Sequence, residues 1–354
     1  MKIVDINVTK ENLALTRPYS ISYKTVDSVE NVIVELHLEN GMIGRGAANP
    51  SKYVVDRDVD DTYKRLIEDG LDTFRGADIR QFSHLLDHVY QDFADDAGAK
   101  VALDVAIHDA FTQLLGIPIA AFYGQKIQSL PTSVTIGIMD IDATLEEAKE
   151  YLDAGFKILK VKLGKELQED IERLRALRIE FGDTPLIRID ANQGWSKSET
   201  LDFFQSTSEL NIELVEQPNK ADQIQQLGDL PEAFKKLIAA DESLVDARDA
   251  LALAQSPIPA GIFNIKLMKC GGILEAKQIA TIAESAGISL MWGCNDESVI
   301  SITAALHAAL SSANTKYLDL DGSFDLAKDV VQGGFILKDG YLSISDKPGL
   351  GVYK

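Results

Sequence analysis

Ionisable residues recur along the second half of the chain at intervals of 25 to 28 residues. Each lies at or just after the end of a short apolar run, as expected where a strand ends and a loop begins. The series is Lys162, Asp190, Glu216, Asp241 and Lys266. Because the strands of consecutive βα units end on one face of a barrel, we expect these side chains to converge. Carboxylates and lysines at one point suit metal binding and proton transfer.

The carboxylates of Asp190, Glu216 and Asp241 are the predicted metal ligands. Carboxylate oxygens are hard donors of the kind that Mg²⁺ prefers, and octahedral coordination leaves positions for water and substrate. Carboxylates crowded together repel one another unless a cation lies between them. The predicted cofactor is therefore Mg²⁺, which would act as a Lewis acid on a substrate carboxylate or enolate oxygen.

Three lysines, Lys160, Lys162 and Lys266, are the predicted catalytic groups. Lysines that share a site with one another and a metal ion are expected to have lowered pKa values, so a neutral amine can remove a proton. Lys162 and Lys266 come from the second and sixth predicted barrel strands, on opposite sides of an eight-stranded ring. They can then address opposite faces of one carbon, which predicts 1,1-proton transfer. Lys160 projects the same way as Lys162 and is expected to add positive charge at the substrate carboxylate.

The first third of the chain reads as a separate α+β unit. Alternating apolar and polar residues predict strands at 3–8, 19–23 and 31–38, arranged as an antiparallel meander. Residues 99–111 are small and apolar almost all round, which is typical of a buried helix. If this unit covers the mouth of the barrel, the loop at residues 16–26 is a candidate lid.

From Ser129 onward, strands and amphipathic helices alternate. The predicted strands are 132–136, 156–161, 186–189, 212–215, 237–240, 261–265, 289–292 and 317–320. This alternation favours a closed parallel (β/α)8 barrel of the TIM type. A hairpin with an Asp-Gly turn is expected at 333–344. We therefore predict an α+β capping domain at 1–125, completed by the returning tail 331–354, and a catalytic α/β barrel at 126–330.

Composition narrows the classes of partner. The 354 residues exceed the usual size of a single core, and a net charge of −20 disfavours nucleic acids and anionic membranes. A small-molecule substrate fits better. The N-terminus lacks the apolar core of a signal peptide, and no apolar run reaches the length of a membrane span. The expected location is the cytoplasm, and whether the chain forms a homo-oligomer is left open.

Motifs around the charged series resemble the enolase superfamily, in its muconate-lactonizing subgroup. They are Lys160-Val161-Lys162, Asp190-Ala191-Asn192-Gln193-Gly194-Trp195, Glu216-Gln217-Pro218, Asp241-Glu242-Ser243 and the stretch from Asn264 to Ile273. The resemblance extends over essentially the whole chain. It implies a TIM-like modified barrel under a capping domain, the three carboxylates as Mg²⁺ ligands, and Lys162 and Lys266 as acid/base catalysts around an enediolate.

Within this subgroup, Asp319-Leu320-Asp321 resembles the Asp-x-Asp motif of dipeptide epimerases, including those that act on alanyl-glutamate. Two carboxylates facing the same way on a barrel strand can receive the α-ammonium group of a peptide. The resemblance implies a Mg²⁺-dependent isomerase that inverts the α-carbon of the C-terminal residue of a dipeptide. The alternatives are a lyase or cycloisomerase, such as o-succinylbenzoate synthase or muconate cycloisomerase, and a barrel that only binds amino-acid derivatives.

Further residues are assigned to substrate binding, and two of them conflict. Lys24 stands where epimerases of alanyl-glutamate present an arginine, and its charge would favour an anionic side chain. Asp296, in the loop after the seventh predicted strand, would favour a cationic side chain. Thr135, in the first predicted barrel strand, completes the substrate-binding set. The sequence therefore leaves the accepted side chains open.

Overall fold

The computed structural model describes residues 1–21, 24–68 and 70–354, with side chains described outside residues 17–26. An antiparallel sheet opens the chain, in the order β1 (Ile3–Ile21), β2 (Lys24–Leu38) and β3 (Ile43–Ala48). Strand β1 runs through both segments that the sequence predicts as separate strands, because it pairs with β2 along almost all of its length. The described backbone of the candidate lid at 16–26 is paired strand rather than an irregular loop, since Tyr19 pairs with Val26; the role as a lid stays a prediction. Ser22 and Tyr23, in the same prediction, lie outside the described residues.

The first domain also contains helices. They are α1 (Lys52–Val55), α2 (Val59–Glu68), α3 (Phe82–Asp92), α4 (Ala97–Leu115) and α5 (Ile119–Phe122), with a 3₁₀ turn at Leu71–Thr73. Helix α4 contains the predicted buried helix; Asp96 caps its start, and Gly116, with a φ of 73°, ends it. It lies so close to β3 that a Cβ atom on Gly46 would stand 1.9 Å from the Ala102 carbonyl oxygen.

The second domain is the predicted parallel barrel. After a short strand β4 (Leu130–Pro131), its described strands are β5 (Val134–Ile136), β6 (Ile158–Lys162), β7 (Leu186–Asp190), β8 (Ile212–Glu216), β9 (Ile238–Ala240), β10 (Ile262–Ile265), β11 (Ser289–Trp292) and β12 (Thr315–Leu318). They neighbour one another in chain order. The ring closes where the Ser133 amide donates to the Leu318 carbonyl at 3.0 Å. Every strand therefore delivers its carboxyl end to the same mouth.

Helices surround the barrel. They are α6 (Ile141–Asp153), α7 (Leu167–Phe181), α8 (Lys197–Ser206), α9 (Glu232–Lys235), α10 (Ala247–Leu253), α11 (Leu267–Cys270), α12 (Ile273–Ser285) and α13 (Val299–Leu310), with 3₁₀ turns at Ser208–Leu210 and Ala221–Asp229. Two starts carry full capping boxes, Ser196 with Glu199 and Asp246 with Asp249. In the described part of the chain, no helix is long and apolar enough to cross a bilayer.

The C-terminal tail forms β13 (Gln332–Gly333), β14 (Phe335–Lys338), β15 (Tyr341–Ile344) and β16 (Val352–Tyr353). Strands β14 and β15 form the predicted hairpin; Asp339 and Gly340 at its turn have φ values of 52° and 78°. Strand β15 pairs with β4, and the Leu350 amide donates to Asp109 of α4 at 2.8 Å. The tail therefore contacts both parts of the molecule, and the exact boundaries at 125 and 330 stay predictions of the sequence.

Candidate active site

The mouth of the barrel carries the charged series. Lys162, Asp190 and Glu216 end strands β6, β7 and β8, and they pair in register across the sheet. Asp241 directly follows β9, and Lys266 directly follows β10. The structure thus places the five residues of the sequence series at the same level of one barrel.

Lys160 lies between carboxylates at the centre of the mouth. Its ammonium nitrogen is 2.7 Å from Glu216, 2.7 Å from Asp319 and 3.3 Å from Asp190, and its side chain is 5% exposed. Burial opposes its charge, but these carboxylates together hold the pKa of Lys160 well above its ordinary value. In this arrangement Lys160 is a fixed positive charge.

Lys162 and Lys266 lie on opposing walls. Their strands, β6 and β10, are separated by β7, β8 and β9 in the described sheet. The Lys266 ammonium lies 2.7 Å from Asp241 and 3.7 Å from Glu216, and the Lys162 ammonium lies 3.3 Å from Asp190. Lys162 is the more accessible of the two, with 39% of its side chain exposed against 14% for Lys266. A ligand at the centre would have one amine on each side.

The protein groups alone raise the pKa values of Lys160 and Lys266. Burial favours the neutral amine of Lys266, but Asp241 and Glu216 stabilise the ammonium form and raise the pKa of Lys266. A divalent ion held by the same carboxylates would oppose this effect. The lowering expected from the sequence includes the metal ion and stays a prediction for the metal-bound site; the neighbouring carboxylates oppose it.

The acidic residues fit a divalent cation. Burial, and next the charge of Asp190, raise the pKa of Glu216 to about 8. Burial also disfavours the charge of Asp190, but Lys160 and then Lys162 lower the pKa of Asp190 to about 2. Within the described ranges, no three carboxylate, thiol or imidazole groups are already spaced to hold a metal ion, because ammonium groups lie between the carboxylates. Carboxylate oxygens are the hard donors that Mg²⁺ prefers, and here they already contact the ammonium groups of Lys160 and Lys266.

Two supporting residues were missed at the sequence level. The Asn264 amide donates to Glu216 at 2.8 Å, and the Lys269 ammonium is hydrogen-bonded to Asp241 and to the Asn264 carbonyl. Asn264 precedes Lys266 by two positions on a strand, so side-chain alternation could have placed it on the same face. Lys269 follows Lys266 by one helical turn, but its direction depends on α11, a helix too short to predict from periodicity.

The Asp-x-Asp motif follows β12 and faces the first barrel strand. Asp319 accepts a hydrogen bond from the Ser133 hydroxyl at 2.7 Å in addition to its contact with Lys160, and Asp321 accepts one from the Thr135 amide at 2.8 Å. Burial, and next the charge of Asp319, raise the pKa of Asp321 to about 7. A substrate ammonium group beside the pair would favour its doubly ionised form.

One predicted specificity residue, Asp296, lies in a loop at the mouth of the barrel. Asp296 is half-buried in the loop that follows β11. That loop touches the capping domain, because the Asn295 amide donates to the Asn49 carbonyl at 3.0 Å. Burial raises the pKa of Glu297, the next residue, to about 8. The side chain of Lys24 lies outside the described residues.

Two family models match most of the chain. The mandelate racemase/muconate lactonizing enzyme N-terminal domain matches residues 3–124, and the enolase C-terminal domain-like model matches residues 143–353.

Relatives match over the full length. L-Lys-D/L-Arg epimerases of Methylococcus capsulatus and Desulforapulum autotrophicum are each 48% identical over 99% of this chain and 99% of their own. The L-Ala-D/L-Glu epimerase of Bacillus subtilis is 32% identical over 99% of this chain and 97% of its own. A crystal structure of the Methylococcus capsulatus dipeptide epimerase, complexed with Mg and L-Arg-D-Lys, superposes with a TM-score of 0.97 at 48% identity and covers 100% of both chains.

Proposed function

This chain belongs to the mandelate racemase and muconate lactonizing enzyme family of the enolase superfamily, and on that premise we propose that it is a Mg²⁺-dependent dipeptide epimerase. The reaction inverts the α-carbon of the C-terminal residue. The observation that carries the proposal is the placement of Lys162 and Lys266 on opposing walls of a mouth that also holds carboxylates and the Asp-x-Asp pair.

The lysines perform the proton transfers. One amine removes the α-proton, the α-carbon becomes planar, and the ammonium group on the opposite wall delivers a proton to the other face. Asp190, Glu216 and Asp241 would hold Mg²⁺, which when bound supplies a Lewis acid for the substrate carboxylate. Lys160 adds a fixed positive charge at the same end of the substrate. The two lysines exchange roles in the reverse direction, so both epimers are substrates.

The Asp319 and Asp321 pair distinguishes an epimerase from the lyase and cycloisomerase alternatives. Their carboxylates lie beside β5, where Thr135 holds Asp321 through its backbone amide. The α-ammonium group of a dipeptide would neutralise this buried pair, whereas the substrates of the alternative enzymes offer no ammonium group. A barrel that only binds its ligand would not need a base on each wall.

For the side chains, we propose a preference for cationic dipeptides. Asp296 places a carboxylate at the rim, and the net charge of −20 attracts cations towards the protein as a whole. Relatives at 48% identity are named L-Lys-D/L-Arg epimerases, whereas those named for L-Ala-D/L-Glu are 32% identical. These observations together favour cationic over anionic side chains, although Lys24 taken alone would favour anionic ones.

The test is a dipeptide library incubated with enzyme and Mg²⁺ in D₂O, with α-proton exchange followed by NMR. Exchange should be fastest for cationic dipeptides, and removal of Mg²⁺ with EDTA should stop it reversibly. Lys266→Ala should abolish epimerisation while preserving exchange of one epimer, and Lys162→Ala should preserve exchange of the other. Absence of exchange across the whole library would rule out the proposed reaction.

The side-chain preference has its own test. Asp296→Asn should lower kcat/KM for Lys- or Arg-containing dipeptides about fivefold, the effect of about 1 kcal/mol expected for a partly exposed ion pair. A neutral dipeptide such as Leu-Tyr serves as the matched control and should be unaffected. Faster turnover of Ala-Glu than of Lys-Arg by the unmodified enzyme would refute the cationic preference and leave the epimerase assignment intact.

A further inference from the structure

The backbone of Lys266 is joined to the short helix that follows it. The amides of Lys269 and Cys270 donate to the Lys266 carbonyl at 3.0 and 3.2 Å, so α11 closes directly on this residue. The linker Gly271-Gly272 then leads into α12. The start of α12 is therefore joined to the Lys266 backbone through one short helix and two glycines.

A carboxylate of the capping domain holds the start of α12. Asp104, on α4, accepts the Ile273 amide at 2.7 Å and the Leu274 amide at 3.3 Å, and its side chain is fully buried. The approach is close, because a Cβ atom on Gly272 would stand 2.5 Å from the Asp104 Cγ atom. Only a glycine fits there, and its φ of 134° favours the same residue. Any larger residue at position 272 would therefore displace the Asp104 carboxylate or the linker.

Neighbours fix the Asp104 carboxylate in turn. The Tyr90 hydroxyl lies 3.2 Å from Asp104 and 3.2 Å from the Gly271 carbonyl, and it accepts the Glu275 amide at 3.2 Å. The His108 ring lies 3.2 Å from the carboxylate on the other side. The capping domain therefore contacts the backbone at both ends of the Gly271-Gly272 linker, through Tyr90 at the Gly271 carbonyl and through Asp104 at the Ile273 amide.

The opposite wall is held differently. Lys162 is followed by Leu163 and Gly164, and the Gly164 amide donates to Asp170 at 2.8 Å. Asp170 belongs to α7, the helix of the same βα unit. The segment after Lys162 is thus held from within the barrel, whereas the segment after Lys266 is held by barrel groups and, in addition, by the other domain.

We propose that Asp104 is a positioning residue for Lys266: a capping-domain carboxylate that sets the place of one proton-transferring amine and leaves the other unaffected. The inference rests on the proposed function, in which each lysine serves one epimer. It makes a stereochemical prediction that a general structural role does not, because loss of Asp104 should impair the two epimers unequally.

The experiment measures initial α-proton exchange in D₂O, with Mg²⁺, for each epimer of a cationic dipeptide separately. Lys266→Ala first identifies the epimer that depends on Lys266. In Asp104→Asn, exchange of that epimer should fall 10- to 100-fold, as expected for a displacement of about 1 Å, while exchange of the other epimer changes less than about threefold. Asp109→Asn is the matched control, because Asp109 is also a buried aspartate of α4 that accepts backbone amides, from Arg45 and Leu350. It should leave the ratio of the two exchange rates unchanged.

Equal losses for both epimers, or no loss in a folded variant, would overturn the positioning role. If Asp104→Asn does not fold, Tyr90→Phe takes its place, since it removes the hydroxyl that contacts Asp104 and Gly271 and should shift the ratio in the same direction. An unchanged ratio in Tyr90→Phe then counts against the inference. A lack of exchange in the unmodified enzyme would instead refute the proposed function.

Discussion

Acid should weaken the attachment of the capping domain through one buried histidine. His307 lies on α13 with 1% of its surface exposed, and its Nδ1 atom accepts the Ala120 amide of α5 at 3.1 Å. Burial lowers the pKa of His307 from its ordinary 6.5 to about 4. The neutral ring is therefore the form that the folded protein holds.

The sign and size follow from proton linkage. Because the pKa is lower in the folded state, the unfolded chain takes up a proton first as the pH falls. The stabilisation is fully present above about pH 6.5 and is lost as the pH approaches 4. At pH 4.5 these two pKa values correspond to a loss of about 2 to 3 kcal/mol relative to pH 7.5.

The measurement is urea unfolding of the unmodified protein and of His307→Gln at pH 7.5 and pH 4.5. Glutamine is chosen because its side-chain oxygen can still accept the Ala120 amide, but it does not titrate. Acidification should destabilise the unmodified protein by about 2 to 3 kcal/mol more than the variant, since other titrating groups contribute equally to both. Equal losses in the two proteins would show that His307 is not held neutral by the fold.

Two further substitutions test the ammonium receptor and the packing of the capping domain. Asp321→Asn should raise KM for dipeptides at least about 30-fold, because removing one partner of a buried charge pair costs about 2–5 kcal/mol. The control is an N-acetylated dipeptide, which has no α-ammonium group, and its KM should be the same for both enzymes. Unchanged KM for free dipeptides would place the α-ammonium group elsewhere. Gly46→Ala should lower the melting temperature, because the added Cβ would stand 1.9 Å from the Ala102 carbonyl oxygen and overpacking costs about 1–3 kcal/mol. An unaltered melting temperature would contradict the close contact between β3 and α4.

The barrel could be predicted from the sequence because its strands are short apolar runs that end in charged residues. Residues 212–215 and 237–240, for example, correspond to β8 (Ile212–Glu216) and β9 (Ile238–Ala240) within one residue at each end. The family models and the full-length relatives confirm the fold and family, and structures of relatives with Mg and dipeptides agree with the predicted cofactor and reaction class. The residue roles stay predictions until variants are assayed.

The capping sheet was harder to predict. The stretch Lys10-Glu11-Asn12 is polar and interrupts the alternation, so β1 reads as two strands, yet its backbone pairs with Val32, Asn31 and Glu30 of β2. Pairing between main-chain groups leaves no signal in side-chain polarity. The pKa shifts of Lys160 and Lys266 are also hard to predict from the sequence, because their direction depends on which carboxylates lie near each amine.

Specificity is the least predictable part because it is assembled from residues far apart in the chain. The loop that carries Asp296 is held by the contact between Asn295 and the Asn49 carbonyl, and the wall that carries Lys266 is held by Asp104. In both cases the capping domain sets the position of a barrel segment. If Asp296 and Asp104 act as proposed, substitutions in the capping domain should change side-chain preference or the relative rates of the two epimers without altering the metal ligands.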